Sequence, residues 1–590
     1  MSDQDPIIQL RQVSKRFDRF AAVDDISLDI RRGEVFGLIG HNGAGKSTLF
    51  KMMLGLLSPS AGSIHIAGQP VFGAQAREVR RQIGYLPENV ALWDNLSGLE
   101  TLRFFARLKH IEPHECAPLL ARVGLADVGK RPVRAYSKGM RQRLGFAQAL
   151  LGRPRVLFLD EPTTGLDPRA IHFFWDTLAE LRQQGLTIVL TSHILAELQH
   201  RVDRVAVMAN GQLQALGTLA ELRAAADLPL RVRLQPSTGA DAAALERWLG
   251  SLPGDGVAPR RDPRDDSLVL HAPRAAKRAL MRQVLAAPEL IADTGGHVLR
   301  RAGRLRLAAR RQRDGGHRVI EFGQVATLAS KEFRDRLRNR WVLAVALVFA
   351  VFSLVIAYAG GAQQGTVGLR SLEFTVTSLV SLVIYLVPLI ALLLGFDAIV
   401  GERERGSLDL LLAHPVTRGE LLLGKYLGLA LALALAMLAG LATVGVVLVW
   451  QFGTRALLHY VGFVGSALLM GLAFLSLAVL VSVVVRDRTR ASGAAIVLWF
   501  LFVLVFDLVL LGVLVATAGH YGGEVFPYLL LLNPTDVFRI LNVFSTEDVR
   551  SAYGLTSTVP PLLAHPGVLT GVMLAWIALP LALANWRFKP

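Results

Sequence analysis

Residues Gly40 to Ser47 read GHNGAGKS and satisfy the pattern G-x-x-x-x-G-K-[ST], a spacing suited to holding phosphate. A backbone curled at Gly43 and Gly45, around Asn42 and Ala44, turns successive N–H groups toward the anion. Lys46 reaches the β- and γ-phosphates, and the hydroxyl of Ser47, followed by Thr48, meets Mg²⁺. A second segment, RVLFLDEP, ends an apolar run on two carboxylates. A buried parallel strand delivers acids to its C-terminal edge in this way. Asp160 is therefore expected to hold Mg²⁺ through its water shell, and Glu161 to orient or deprotonate the water that attacks the γ-phosphate. An acid pair after a strand is by itself an ordinary helix cap; behind the phosphate loop it reads as the hydrolytic half of an ATP site.

Four further segments go beyond what a general nucleotide hydrolase needs. AYSKGMRQRLGFAQALLG places Ser137, Lys138 and Gly139 at a helix start, where N–H groups can hold a γ-phosphate. EPTTGLDP ends in Asp167, TSHIL sets His193 just after the strand-like TIVL, and SKRF carries Phe17, an aromatic able to stack on adenine. In this order they resemble the signature, D-loop, switch histidine and adenine-stacking aromatic of an ABC ATPase. The resemblance implies ATP and Mg²⁺ as cofactors. It also implies a dimer, because in that family the signature of one cassette faces the phosphate loop of another, and a second copy of the same chain is the economical partner. The chain departs from the family pattern twice: YSKGM stands where LSGGQ is usual, and Glu88, in IGYLPEN, stands where a glutamine is usual. A carboxylate can also ligand Mg²⁺ and order water, so altered rate or coupling is expected, not lost hydrolysis.

The elements that position these residues divide the chain. At 590 residues it exceeds one compact core, and 52% hydrophobic content with a mean hydropathy of +0.41 is high for a wholly soluble protein. Most of the charge lies at or before Arg340, so the apolar excess belongs to the second half. The expected fold is an α/β P-loop cassette over residues 1–217, then a small α+β appendage with an Arg-rich linker over 218–319. An all-α membrane domain of about six helices follows over 320–590. The net charge of +17 could suggest nucleic acid, but the run from Arg300 to Arg318 precedes the first apolar span and fits anionic lipid headgroups better. A single cysteine, Cys116, excludes an intramolecular disulfide framework, and the acidic start MSDQDPIIQL is unlike a signal peptide.

Apolar runs of spanning length are expected near Trp341–Gly360, Val376–Phe396, Leu427–Trp450, Val461–Val485, Ala494–Ala518 and Val568–Ala584. Lys331, Arg334, Arg336, Arg338 and Arg340 before the first span, with Arg403, Arg405, Arg418, Lys425, Arg486, Arg488, Arg490, Arg587 and Lys589, are expected to keep both chain ends on the cytosolic side of the membrane. Outer connections show only scattered Arg370, Arg455, Arg539 and Arg550. Between the second and third spans, GERERGSLDLLLAHPVTRGELLLGK is too charged to span and too apolar for a free loop, and reads as coupling helices against the ATPase. Between the last two spans, 519–567 forms the longest external connection and includes PYLLLLNPTDVFRI, a half-span broken by proline. Asp507, inside WFLFVLVFDLVLLGVL, is costly there unless it faces a cavity or a partner; a transport site and a structural hydrogen bond between helices are the two readings.

A narrower resemblance covers nearly the whole chain apart from the linker. GYLPENV, LSGLETLRFFARLK and YSKGMRQRLGFAQALLG resemble the ATPase NosF of the Nos-type transporter that matures nitrous oxide reductase. KEFRDRLRNRW, LVPLIALLLGFDAIVGE, WFLFVLVFDLVLLGVL and LLLLNPTDVFR resemble its permease, NosY. That family implies assembly of the reductase's copper-sulfur centre with a periplasmic NosD-like protein and a copper chaperone, and either export of a sulfur species or a mechanochemical action without cargo. A general ABC-2 lipid or drug exporter is the alternative. The expected spans contain no cysteine and, as soft ligands, only Met437, Met470 and Met573, which disfavours copper as cargo.

Overall fold

The computed structural model describes residues 6–164, 166–193, 195–225, 230–236, 260–261, 268–272, 291–295, 320–338, 340–359, 372–516, 528–543 and 565–588. The Arg-rich linker at 300–318 and most of the outer connection at 519–567 lie outside them. The chain partitions into two compact units. One comprises Met1–Leu49, Pro59–Ser63 and Thr187–Arg313, and the other Phe50–Ser58, Ile64–Leu186 and Asp314–Pro590.

In the first unit, Pro6–Phe17 and Phe20–Arg31 form a long antiparallel pair. The phosphate-loop strand Val35–Ile39, buried throughout, pairs in parallel with Thr187–Ser192 and Arg204–Ala209. Such continuous apolar runs are what a parallel sheet covered on both faces demands. Beyond the cassette, within the expected α+β appendage, Leu230–Pro236, Arg260–Arg261, Leu268–Ala272 and Ile291–Gly295 make a four-stranded antiparallel sheet.

The second unit joins the helical part of the cassette to the membrane helices. Among the described residues, five helices are long and apolar enough to cross a membrane: Ser378–Arg405, Arg418–Trp450, Tyr460–Val484, Arg488–Val513 and Pro566–Arg587. A sixth is counted if Phe322–Arg338 and Val342–Val355 form one broken span. The break falls at Arg340, whose φ of +54° is left-handed and ends a helix. The third span begins at Arg418, well before the expected Leu427, because Thr417 and Glu420 form a capping box: Thr417 N donates to Glu420 Oε2 at 2.8 Å and Glu420 N to Thr417 Oγ1 at 3.2 Å. The charged stretch before it resolves into short helices Val400–Arg405 and Ser407–Leu412, separated by Gly406 at φ +82°.

Two backbone irregularities inside the spans are met by a neighbouring side chain, as a low-dielectric setting favours. Pro580 cannot donate to Trp576 O, and Ser476 Oγ on the fourth span lies 2.9 Å from that carbonyl and 2.7 Å from its own Ala473 O, so its proton is shared. In the fifth span a π-helical turn, Leu501–Val505, sends the N–H of Phe506 to Leu501 O and so takes from Phe502 O its usual partner. Asn533 Nδ2 donates to Phe502 O at 2.8 Å. That residue lies at the proline break of the half-span, between a turn at Leu530–Leu532 and a helix Pro534–Val543.

Candidate ATP site and its connection to the membrane helices

The phosphate loop follows its strand directly and leads into helix Lys46–Met53. Lys46 is buried, its ammonium held by Gly40 O at 2.6 Å and His41 O at 3.2 Å, which aims it across the mouth of the loop. Gly45 sits at φ +97°, and a Cβ there would lie 2.4 Å from Ala22 O; the cradle fits only a bare backbone. Ala44 is buried behind the loop, whereas Asn42, Gly43 and Ser47 are exposed and Thr48 half-buried. In the same unit Phe17 is 47% exposed at its strand end, with Lys15 Nζ 5.3 Å from the ring centroid, and His193 is exposed immediately after strand Thr187–Ser192.

The remaining candidates lie in the second unit. Strands Ile83–Leu86 and Val156–Leu159 run in parallel, and Asp160 N donates to Leu86 O at 2.9 Å, so Glu88 and Asp160 leave adjacent strand ends. Burial above all, then the charges of Asp160, Asp409 and Glu88, pushes the Tyr85 hydroxyl well above its ordinary range, a sign that these acids share one region. Glu161 takes a left-handed φ of +46°, uncommon for a residue with a Cβ and typical of functional turns. Ser137 caps helix Lys138–Ala149, its Oγ accepting from Met140 N at 3.2 Å, and both Ser137 and Lys138 are exposed with Gly139 half-buried. Asp167 caps helix Pro168–Gln183 in the same way, its Oδ1 accepting from Ala170 N at 2.8 Å.

The sequence did not reveal how far the permease grips this helical lobe. Lys51 Nζ meets Asp409 Oδ2 of helix Ser407–Leu412 at 2.7 Å, Arg80 Nη1 donates to Val416 O at 3.1 Å, and Phe105 stacks on His414 at 4.6 Å between ring centroids. Helix Phe322–Arg338 is a second contact, with Gln324 Nε2 donating to Leu108 O at 2.8 Å and Arg338 Nη2 to Glu100 Oε1 at 2.6 Å. The Arg338 guanidinium holds the Glu100 carboxyl down to about 2. In the fifth span Asp507 is not a lone carboxylate. Its Oδ2 lies 2.9 Å from Arg539 Nη2, while Arg539 Nη1 meets Asp536 at 2.6 Å, so Arg539 is a packed partner and not a loose outer-loop charge.

The comparisons with known proteins agree with this geometry. Residues 23–164 match the ABC transporter family and residues 326–590 the ABC-2 family transporter proteins. The chain is 42% identical over 209 residues to the uncharacterized ABC transporter ATP-binding protein YhcH of Bacillus subtilis, covering 35% of this chain and 68% of that one. It is 46% identical over 280 residues to the probable ABC transporter permease protein NosY of Stutzerimonas stutzeri, covering 45% of this chain and 99% of that one. The NosY of Pseudomonas aeruginosa is likewise 46% identical, over 269 residues, with 98% of it covered. The chain belongs to the ABC transporters: an integral membrane protein in which an ATP-hydrolysing cassette and an ABC-2 permease share one polypeptide. Its permease is of the Nos type. The cassette binds ATP with Mg²⁺ and couples its hydrolysis to transport.

Proposed function

We propose that two copies of this chain form the ATP-driven transporter of a Nos system in a bacterial inner membrane, with cassettes and both chain ends in the cytosol. In this reading the complex supports assembly of the copper-sulfur centre of periplasmic nitrous oxide reductase, with a NosD-like protein and a copper chaperone outside. It acts either by exporting a sulfur species or by reshaping its periplasmic partner. The likeness to NosY over essentially that permease's whole length carries the reading.

Within each composite site, Phe17 would stack on adenine, and Gly40, Asn42 to Gly45, Lys46 and Thr48 would cradle the phosphates. Ser47, Asp160 and Glu88 would hold Mg²⁺, which when bound neutralises charge developing on the phosphoryl oxygens. Glu161 takes a proton from the attacking water, and His193 contacts the γ-phosphate. Ser137, Lys138, Gly139 and Asp167 are presented to the opposite copy. The exposure of Ser137 and Lys138 at a capped helix start supports that assignment.

The test is expression of the chain in a denitrifying bacterium that lacks its own NosF and NosY, followed by spectroscopy of the purified reductase. A restored copper-sulfur chromophore supports the Nos assignment, and its absence with the chain present and hydrolysing ATP would refute it. ATP-dependent accumulation of labelled sulfur in inside-out vesicles then separates export from reshaping without cargo.

A further inference from the structure

Trp93 belongs to the cassette by sequence but is packed among permease charges. The side chain is 5% exposed, its Nε1 donates to Glu402 Oε1 at 3.2 Å, and Lys331 Nζ stands 4.2 Å from its ring centroid. Glu402 is a branch point. Lys425 Nζ of the third span reaches it at 2.8 Å and reaches Glu332 Oε2 at 3.0 Å, while the hydroxyl of Ser407, first residue of the short helix against the cassette, donates to the second Glu402 oxygen. Lys331, Glu332, Glu402 and Lys425 are all buried, and their charges balance. A cavity of about 170 Å³ borders the group, which leaves room for it to rearrange.

On the cassette side the same few residues are tied to the signature helix. Asp94 Oδ1 accepts from Arg141 Nη2 at 2.8 Å, one turn from Ser137. Asp94 O accepts from Arg134 N at 3.2 Å and Leu96 O from Val133 N at 2.8 Å. Arg141 thus ties the signature helix, and Val133 and Arg134 the turn before it, to the segment that carries Trp93, whose indole is in turn bonded to Glu402. Well-packed apolar residues would serve stability as well as such a buried charge cluster, so stability alone does not account for it.

We propose that Trp93 is a positioning residue of the transport cycle, passing movement of the signature helix through Glu402 to the third span by way of Lys425 and to the coupling helix by way of Ser407. The far end of the bundle supplies the readout. Asn542 Nδ2, on the helix after Asn533, donates to Ser466 Oγ of the fourth span at 2.9 Å. Ser466 is about 24 Å of helix from Ser482, which takes the N–H of Ile399 and of Val400 at the base of the Glu402 helix.

The experiment uses the full chain in nanodiscs with Cys116→Ser and an environment-sensitive fluorophore on Leu532→Cys, a position 56% exposed beside Asn533. In a Glu161→Gln background ATP changes the fluorescence. Trp93→Phe keeps the ring against Lys331 and removes the N–H donor. A benzothienyl-alanine in the same place keeps the full indole outline and serves if the phenylalanine variant folds poorly. With Glu161 restored, both leave the KM for ATP within about twofold and kcat undiminished, since the nucleotide site is untouched; with Glu161→Gln, both reduce the ATP-driven fluorescence change several-fold. Full amplitude in the donor-less variants, or a parallel loss of kcat, would overturn the assignment.

Discussion

Arg77 of the cassette and Glu420 of the third span meet at 2.6 Å, with the carboxylate wholly buried and the guanidinium mostly so. Glu420 also caps its own helix through Thr417 and accepts the N–H of Glu321 at 2.7 Å, so one side chain fixes a span's start, its approach to the cassette and the lead into helix Phe322–Arg338. Removing one member of a buried pair costs about 3–5 kcal/mol and a lost cap about 1 kcal/mol. Arg77 retains Glu321 as a partner, which places the expected loss for Glu420→Ala near the lower end, about 3 kcal/mol. Glu420→Gln, which keeps an acceptor, should lose less. Unfolding in detergent measures both, and equal stability of Glu420→Ala and the parent would contradict the role given to this residue.

Much of this was legible in advance, for identifiable reasons. The phosphate loop is read from adjacent residues, and the spans from long apolar runs, so neither depends on distant contacts. The apolar run alone places the start of the third span too late, although T-R-G-E at 417–420 is a visible capping-box pattern. Lys331 and Lys425 read in the sequence as charges marking the cytosolic side, yet both are buried in ion pairs: Lys425 with Glu332 and Glu402 on two other helices, and Lys331 with Asp335 one turn along its own helix. The π turn at Leu501–Val505 has no proline or glycine to announce it; its stabilisation comes partly from Asn533, about thirty residues on. Composition registers charge and apolarity, but pairings set by tertiary approach leave no local mark.

His414 gives the joint between cassette and permease a predictable response to acid. Its ring is fully buried against Phe105, Nδ1 bonds Leu410 O at 2.9 Å, and Nε2 has no hydrogen-bond partner among the described residues. Burial first, then the neighbouring Lys109 charge, pushes the imidazole from 6.5 down to about 3. Between those values the unfolded chain binds a proton that the folded one does not. Stability present above pH 6.5 is therefore lost as pH falls toward 3, by about 1.4 kcal/mol per pH unit from this group. His414→Met, which fills the space without titrating, should flatten the decline in melting temperature between pH 6.5 and 5. An unchanged slope would show that another group governs it.

Asp507 and Arg539 make a pair whose two members should respond unequally. Asp507→Asn leaves Arg539 with Asp536, whereas Arg539→Ala leaves two carboxylates facing each other beside an apolar span. Normal ATPase and a small drop in melting temperature are expected for the first, and a drop several times larger for the second. If Asp507→Asn instead kept its melting temperature and ATPase but abolished reductase maturation, the aspartate would belong to the transport path and not to the helix contact.

Glu161 stands one residue beyond Asp160 at a left-handed turn, where its carboxylate is carried on the loop and not on the strand. Glu161→Gln keeps the shape and the hydrogen-bonding capacity but cannot take a proton. If it is the general base, turnover should fall by about 10²–10⁴-fold while ATP binding persists. Unhydrolysed ATP should then hold two chains together through their signature and phosphate-loop faces, so the variant runs as a tighter dimer with ATP than without. Gly45→Ala is the contrasting control: its added methyl collides with Ala22 O, and it should lose ATP retention and the ATP-dependent dimer together. Trapped nucleotide by filter binding and mass by light scattering distinguish the two variants. Near-normal hydrolysis in Glu161→Gln would move the proton acceptor elsewhere, with Glu88 the next carboxylate to test.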